Sequence, residues 1–185
     1  MIEVKAIGTG RRALLEFVKF PIWLYKGNEY YVPPLVLDEV ETLNPAKNPA
    51  FEFCEAEYFM AFKDGKPAGR IAAIINRQVN ERTGVKAARF GFFDFIDDAE
   101  VCAALLEAAE QWARKKGMVE ILGPLGFTDL DAEGMLIYGF DQLSTMSTIY
   151  NYPYYPEHME ALGFEKQTDW IEKKLLVPES LPEGY

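Results

Sequence analysis

Between Arg89 and Gly117 a strand of large apolar residues runs straight into a capped amphipathic helix, and the turn joining them holds acids and no glycine. The strand reads Ala88-Arg89-Phe90-Gly91-Phe92-Phe93-Asp94-Phe95-Ile96, and the helix opens at Asp97-Asp98-Ala99-Glu100. This pairing constrains the fold most, because a buried strand leading directly into a long helix belongs to a layered architecture of helices on a sheet. Many such folds seat a ligand's phosphates at this junction, on free backbone N–H groups of the helix N-terminus. Here Asp97 is expected to take those donors itself as N-cap, with Glu100 three residues later completing a capping box. The architecture therefore suggests a nucleotide-type cofactor while the residues oppose its tightest contact. The helix, Asp98 to Lys116, carries Val101, Leu105, Ala109 and Trp112 on one stripe. It closes with Arg114, Lys115 and Lys116, and Gly117 supplies the C′ residue.

A chain of 185 residues, nearly half of them apolar, suits one domain with a real core. Twenty-nine acidic against nineteen basic residues leave a net charge of −10, which repels nucleic-acid phosphates and anionic lipid heads, so neither nucleic acid nor membrane is an expected partner. The start, Met1-Ile2-Glu3-Val4-Lys5, lacks the build of a signal peptide, and no apolar run approaches spanning length; a cytoplasmic location is expected. Cys54 and Cys102 form no CxxC pair and read as reduced thiols. A single histidine, His158, leaves no second imidazole for a zinc cluster, and no metal site is expected. Asp129 to Gly134 imitates the start of a calcium loop, but its twelfth position is Phe140 where a bidentate glutamate is required.

Along the chain, Met1 to Ile7 reads as a first strand and Thr9 to Tyr25 as a helix broken at Pro21. Leu35 to Leu43 is a short helix, and Ala56 to Asn76 is an antiparallel hairpin turning at Asp64-Gly65. Asn80 to Gly84 reads as a turn, Val119 to Leu122 as a short strand, and Leu125 to Met146 as a long irregular segment suited to a lid or pocket wall. Thr148 to Tyr150 and Trp170 to Val177 are further strands around a short helix from Pro156 to Leu162, giving six or seven strands in all.

This order, with Gly123-Pro124, Gly139-Phe140-Asp141, Tyr150-Asn151, Tyr154-Tyr155-Pro156 and Leu162-Gly163-Phe164, resembles the GNAT (acyl-CoA N-acyltransferase) fold. More specifically it looks like a little-characterised branch whose longer members carry a second, similar half; the resemblance covers roughly Tyr30 to Trp170. It implies an α+β fold: a mixed, mostly antiparallel sheet flanked by helices and splayed between its fourth and fifth strands. It also implies one GNAT-like domain over 1–177, with 178–185 a linker or tail that leads into the second half in longer relatives. The implied cofactor is acetyl-CoA or another acyl-CoA, its pantetheine bonded to strand backbone at Phe93, Phe95 and Ile96 and its pyrophosphate at the helix start, Asp97 and Asp98.

Two departures bear on chemistry. The phosphate loop, Arg/Gln-x-x-Gly-x-Gly/Ala, should fall near Ile96 to Val101, where this chain has two aspartates instead. A like charge about 5 Å away costs roughly 3 kcal/mol at an effective dielectric near 20, or on the order of a hundredfold in affinity. The tyrosine that protonates the leaving thiolate sits four residues before the Gly-Phe step, and here that position is Met159.

The candidate catalytic residues are Asp94, Tyr154 and Tyr155. Asp94 alternates with Phe90 and Phe92 on one face, where a desolvated carboxylate could accept a proton from an ammonium; the competing reading pairs it with a nearby arginine at an edge. Tyr150, Asn151, Tyr152, Tyr154 and Tyr155, fixed by Pro153 and Pro156, form the expected pocket wall, with Asn151 a cofactor contact and either Tyr154 or Tyr155 replacing the missing acid. His158 reads as a structural imidazole. Two function classes follow: an acyltransferase-like domain passing an acyl group from a pantetheine carrier to an amine, or a catalytically silent GNAT-like module. The silent module would bind a small molecule, a second copy or its own second half.

Overall fold

In the computed structural model, which describes residues 1–145 and 148–176, the chain forms β1 (Ile2–Ala6), α1 (Arg11–Leu24), α2 (Val36–Thr42), a 3-10 turn (Pro49–Glu52), β2 (Cys54–Lys63), β3 (Lys66–Asn76), α3 (Arg77–Thr83), β4 (Ala87–Phe95), α4 (Ala99–Lys115), β5 (Glu120–Leu122) and α5 (Tyr154–Ala161). The strands lie in sequence order in one sheet, antiparallel except that β4 and β5 run parallel. Helix α4 covers one face and α1 with α2 the other, so β3 is buried on both sides. Ile71 and Ala73 meet the α4 layer, and Ala72 and Ile74 meet the α1 layer. The expected hairpin is present, and Asp64 (φ 51°) and Gly65 (φ 78°) take the left-handed conformations that match a two-residue turn to strand twist.

Among the described residues the sheet has five strands rather than six or seven. Thr148 makes only an isolated bridge to Glu133. Residues 170–176 have no strand partner among the described residues and leave Trp170, Ile171, Leu175 and Leu176 exposed; Val177 lies outside the described residues. Asn80 to Gly84 is the end of a helix, α3, whose N-cap Asn76 accepts from Val79 N–H and whose C-cap Gly84 sits at φ 73°. Helix α1 also runs unbroken through Pro21. Proline removes the N–H that would satisfy the Phe17 carbonyl. The buried Arg70 guanidinium supplies the missing donor, Nη1 to Phe17 O at 3.2 Å.

Helix α4 starts one residue later than expected. Asp98, not Asp97, is the N-cap, its Oδ1 accepting from Glu100 N–H at 3.1 Å and Val101 N–H at 3.2 Å while its other oxygen pairs with Lys63. Asp97 turns instead to His158, Oδ1 to Nε2 at 2.8 Å. Val101, Leu105 and Ala109 are buried as expected, joined by Cys102, Leu106 and Ala113, whereas Trp112 is only partly buried at the border of the core. Among the described residues no helix is long and apolar enough to cross a membrane.

The Lys63 contact and the two backbone donors hold the Asp98 carboxyl below the usual carboxylate range. A depressed folded-state pKa gives stability present above the unfolded value and lost as pH falls through the folded one. Asp98→Ala should therefore cost about 1 kcal/mol in urea unfolding at neutral pH, with the difference shrinking below about pH 4. Asp97→Ala should cost under about 0.5 kcal/mol; a larger loss there than at Asp98 would reverse the assignment of the cap.

Candidate functional site

A β-bulge sets the geometry of the site. Arg70 faces Asp94 and Ala72 faces Gly91, so Phe92 and Phe93 together oppose Ile71. Phe92 takes φ 46°, unusual for an aromatic residue. The extra residue changes which side chains share a face. Phe90, Phe93 and Phe95 all turn toward α4, and Phe92 and Asp94 turn toward α1, which corrects the expectation that Phe90, Phe92 and Asp94 line one surface.

Asp94 is buried in an ion-pair cluster. Arg70 Nε donates to its Oδ2 at 2.8 Å, and Arg70 Nη1 donates to Glu39 Oε1 on α2 at 2.9 Å. The guanidinium lies over the rings of Phe17 and Phe92, with 5% of its residue surface exposed. Burial by itself would lower the arginine pKa, but Asp94 and Glu39 outweigh it and raise it, so Arg70 stays a cation. The arginine partner considered from sequence is thus present, in the interior rather than at an edge. On the other oxygen, Tyr25 OH donates to Asp94 Oδ1 at 3.1 Å, and Tyr25 OH lies 2.7 Å from Tyr155 OH. Burial first, then the Asp94 charge, pushes both phenols well above their ordinary value, so both remain protonated.

Tyr155 brings this cluster to the outer edge of β4, where Phe95 N–H donates to its hydroxyl at 3.1 Å, while Tyr154 OH donates to Phe95 O at 2.6 Å. Nearer its start, β4 pairs with β5 at only three positions, Ala87 to Arg89 against Glu120 to Leu122. Beyond these the ladder ends, but the chain stays against β4. Leu125 N–H bonds Phe90 O at 2.7 Å, and Gly91 lies so close to Leu125 that a Cβ would fall on its carbonyl oxygen. The outer edge of β4 is thus met by the 123–125 backbone at Phe90 and Gly91 and by two tyrosine hydroxyls at Phe95.

The remaining predicted site residues scatter around it. Phe93 and Phe95 pack their rings together at 4.8 Å and against Tyr155. Ile96 bonds inward, its N–H to Ala68 O at 2.9 Å. Asp97 and Asp98 are taken by His158 and by the helix cap with Lys63. Asn151 spends its amide on the long loop, accepting from Leu136 N–H at 2.6 Å and donating to Leu136 O and Tyr152 O at 3.0 Å. Met159 is a core side chain of α5. Asp131 accepts from Thr128 N–H at 2.8 Å, a local loop contact. Sequence reasoning missed Tyr25, Glu39 and Arg70; the available signal was a charged residue inside the otherwise apolar Ala68 to Ile75 run. Two surface concavities, about 420 Å³ beside Arg11 and Arg12 and about 340 Å³ between α2 and Thr128, lie away from this cluster. Of the expected catalytic residues, Asp94, Tyr154 and Tyr155 are the ones bonded together around the end of β4.

Solved structures share the fold. An aminoglycoside acetyltransferase from an uncultured soil metagenomic sample, in complex with sisomicin, superposes with TM-score 0.58 at 11% identity, covering 95% of this chain and 97% of that one. A protein of Clostridium acetobutylicum described as a predicted acetyltransferase, crystallised with acetyl-CoA, gives 0.54 at 10%, covering 94% and 96%. The chain has the GNAT fold. No family model matches it. Among curated proteins, Protein YghO of Escherichia coli K12 is 37% identical over 158 residues, 85% of this chain and 40% of that protein. The bacterial ceramide synthase of Caulobacter vibrioides is 29% identical over 171 residues, 92% of this chain and 44% of that protein. The chain thus spans less than half the length of these curated relatives.

Asp94→Asn should cost about 3 kcal/mol in denaturant unfolding, because it leaves a buried guanidinium short of its charge partner. Tyr155→Phe should cost about 1–3 kcal/mol, because it strands Phe95 N–H and removes the partner of Tyr25. Losses below about 0.5 kcal/mol in both would mean that the cluster is solvated.

Proposed function

We propose that this chain is an acyltransferase-like domain that receives an acyl-CoA or other pantetheine thioester along the outer edge of β4 and passes the acyl group to an amine. One observation carries the reading. Past the end of β5, the N–H and C=O of Phe95 are met by side-chain hydroxyls rather than by a strand. The two amides of a pantetheine arm can replace such partners, as an added strand does. The name of the Caulobacter relative supports an amine acceptor, since a ceramide is an N-acylated amino alcohol.

In this reading a neutral amine attacks the thioester carbonyl, a tetrahedral intermediate forms, and the C–S bond breaks to release a thiolate, which takes up the proton that the nitrogen loses and leaves as the thiol beside the new amide. Tyr155, protonated because of its burial, turns its O–H from Tyr25 to the departing sulfur and donates a hydrogen bond to it there. A phenol held above its ordinary pKa does not surrender its proton fully to a thiolate whose conjugate acid ionises near pH 8.5. Asp94, committed to Arg70, orients Tyr25 and through it Tyr155, which replaces the role of base expected from sequence. The acids at 97–98 disfavour coenzyme phosphates, so a phosphate-poor carrier suits the junction better than CoA.

The occupied outer edge of β4 favours a second reading, the catalytically silent module, here one half of a longer protein. Leu125 already bonds Phe90, and both hydroxyls already occupy Phe95. Calorimetric titration with acetyl-pantetheine and acetyl-CoA separates the two. The acyltransferase reading expects the fragment to bind, Tyr154→Phe to tighten it by freeing Phe95 O, and serine at both Asp97 and Asp98, which keeps a cap and removes two charges, to raise acetyl-CoA affinity at least about tenfold. Absence of binding by either compound at millimolar concentration to folded protein would leave the silent module standing.

A further inference from the structure

A relay of contacts runs outward from the edge of β4 through three stretches of chain. Leu125 N–H bonds Phe90 O at 2.7 Å, and Gly134 N–H bonds Pro124 O at 2.9 Å. Trp170 then lies against Gly134, where a Cβ would sit 3.6 Å from its ring. Two residues on, Glu172 accepts from the hydroxyls of Thr145 at 2.9 Å and Thr148 at 2.6 Å, and Thr148 bridges Glu133. The ends of the long loop are held more firmly than its middle. At one end the Phe127 ring is buried and its carbonyl accepts from Asn76 Nδ2 at 2.9 Å and Arg89 Nη1 at 3.3 Å. At the other, Asn151 takes both backbone groups of Leu136. Between these anchors Met135 is partly buried on the core cluster of Phe90, Phe93 and Phe95, while the Glu172 bonds are exposed. A segment with fixed ends and a middle held by exposed contacts is one that opens locally.

We infer that residues 170–172 are a strap that keeps the outer edge of β4 closed, and that it releases when a strand-like ligand pairs there. This rests on the reading that a pantetheine arm lies along β4, and it adds what must move first. An arm that continues from Phe95 along the strand reaches Phe90, where Leu125 already bonds. To clear that place, the stretch around Leu125 must leave, and Pro124 ties it to Gly134 and so to Trp170. The strap is therefore an autoinhibitory contact. Where the open form is a minor fraction, the apparent dissociation constant of a ligand rises by the inverse of that fraction. A tenfold change in it, about 1.4 kcal/mol, is within what two hydrogen bonds supply.

The test compares the full chain with the double variant Trp170→Ala/Glu172→Ala, changed at two exposed positions, by amide hydrogen exchange and by calorimetric titration with acetyl-pantetheine. Exchange at the Leu125 and Gly134 amides is expected to quicken at least about tenfold, with the α4 amides and the melting temperature unchanged. Acetyl-pantetheine is expected to bind more tightly by the same factor. Thr148→Val, which removes one hydroxyl from the loop's side of the contact, should move both readings the same way by less. Unchanged exchange at both amides overturns the inference, as does faster exchange with unchanged affinity for acetyl-pantetheine. Faster exchange while neither protein binds acetyl-pantetheine at millimolar concentration upholds the strap and removes the transferase reading, so the two fail separately.

Discussion

A single buried guanidinium ties the layers together. Arg70 on β3 bonds Asp94 on β4, Glu39 on α2 and the Phe17 carbonyl on α1, and stacks on two aromatic rings between them. Taking a charge out of water costs several kcal/mol, and it is offset only when every donor direction meets an acceptor of good geometry. The consequence is specificity of arrangement more than stability. Helix α1 can carry a proline in its last turns because a side chain from the sheet stands in for the lost backbone donor. Helix α2 can be as short as seven residues because one of its glutamates is locked to the core.

The same cation determines what Asp94 can do. A carboxylate bridged to arginine and bonded by tyrosine has its lone pairs committed, so its influence passes outward through the two phenols to the β4 edge. There the domain presents hydroxyls, which can both give and accept hydrogen bonds, at a place where a strand would have presented fixed amides. The acids at the start of α4 act differently from each other despite being adjacent. Asp98 organises the helix, and Asp97 joins α5 through His158.

The layered fold, the hairpin and α4 were legible from sequence because periodicity, turn chemistry and capping residues all agreed there. The limits came from interactions across the sequence. Nothing local announces that Arg70 will rescue the Phe17 carbonyl, so Pro21 read as a break. The β4 bulge inserts one residue into a period of two, and a rule of alternation cannot see it; Phe90 and Asp94 were therefore placed on one face. Asp97 and Asp98 are equivalent as local caps, and Lys63 from the hairpin and His158 from α5 decide between them. Of the candidate site, Asp94, Tyr154 and Tyr155 converge on Phe95. Asn151 instead anchors the long loop, and Tyr25 and Glu39 came from a region that read only as helix and linker.

Gly91 gives the outer edge of β4 a particular kind of adjustability. With no side chain it lets the chain after β5 lie flat against β4, and the Leu125 carbonyl occupies the volume where any other residue would place its first carbon. The separation of the two strands is thus set by an omission. A single methyl group there would act as a wedge, forcing residues 123–127 outward without touching the charged cluster beneath. How closely the chain after β5 lies on β4 and how the charged cluster beneath is bonded are, in this fold, independently variable properties, and sequence change at one position can move the first while leaving the second in place.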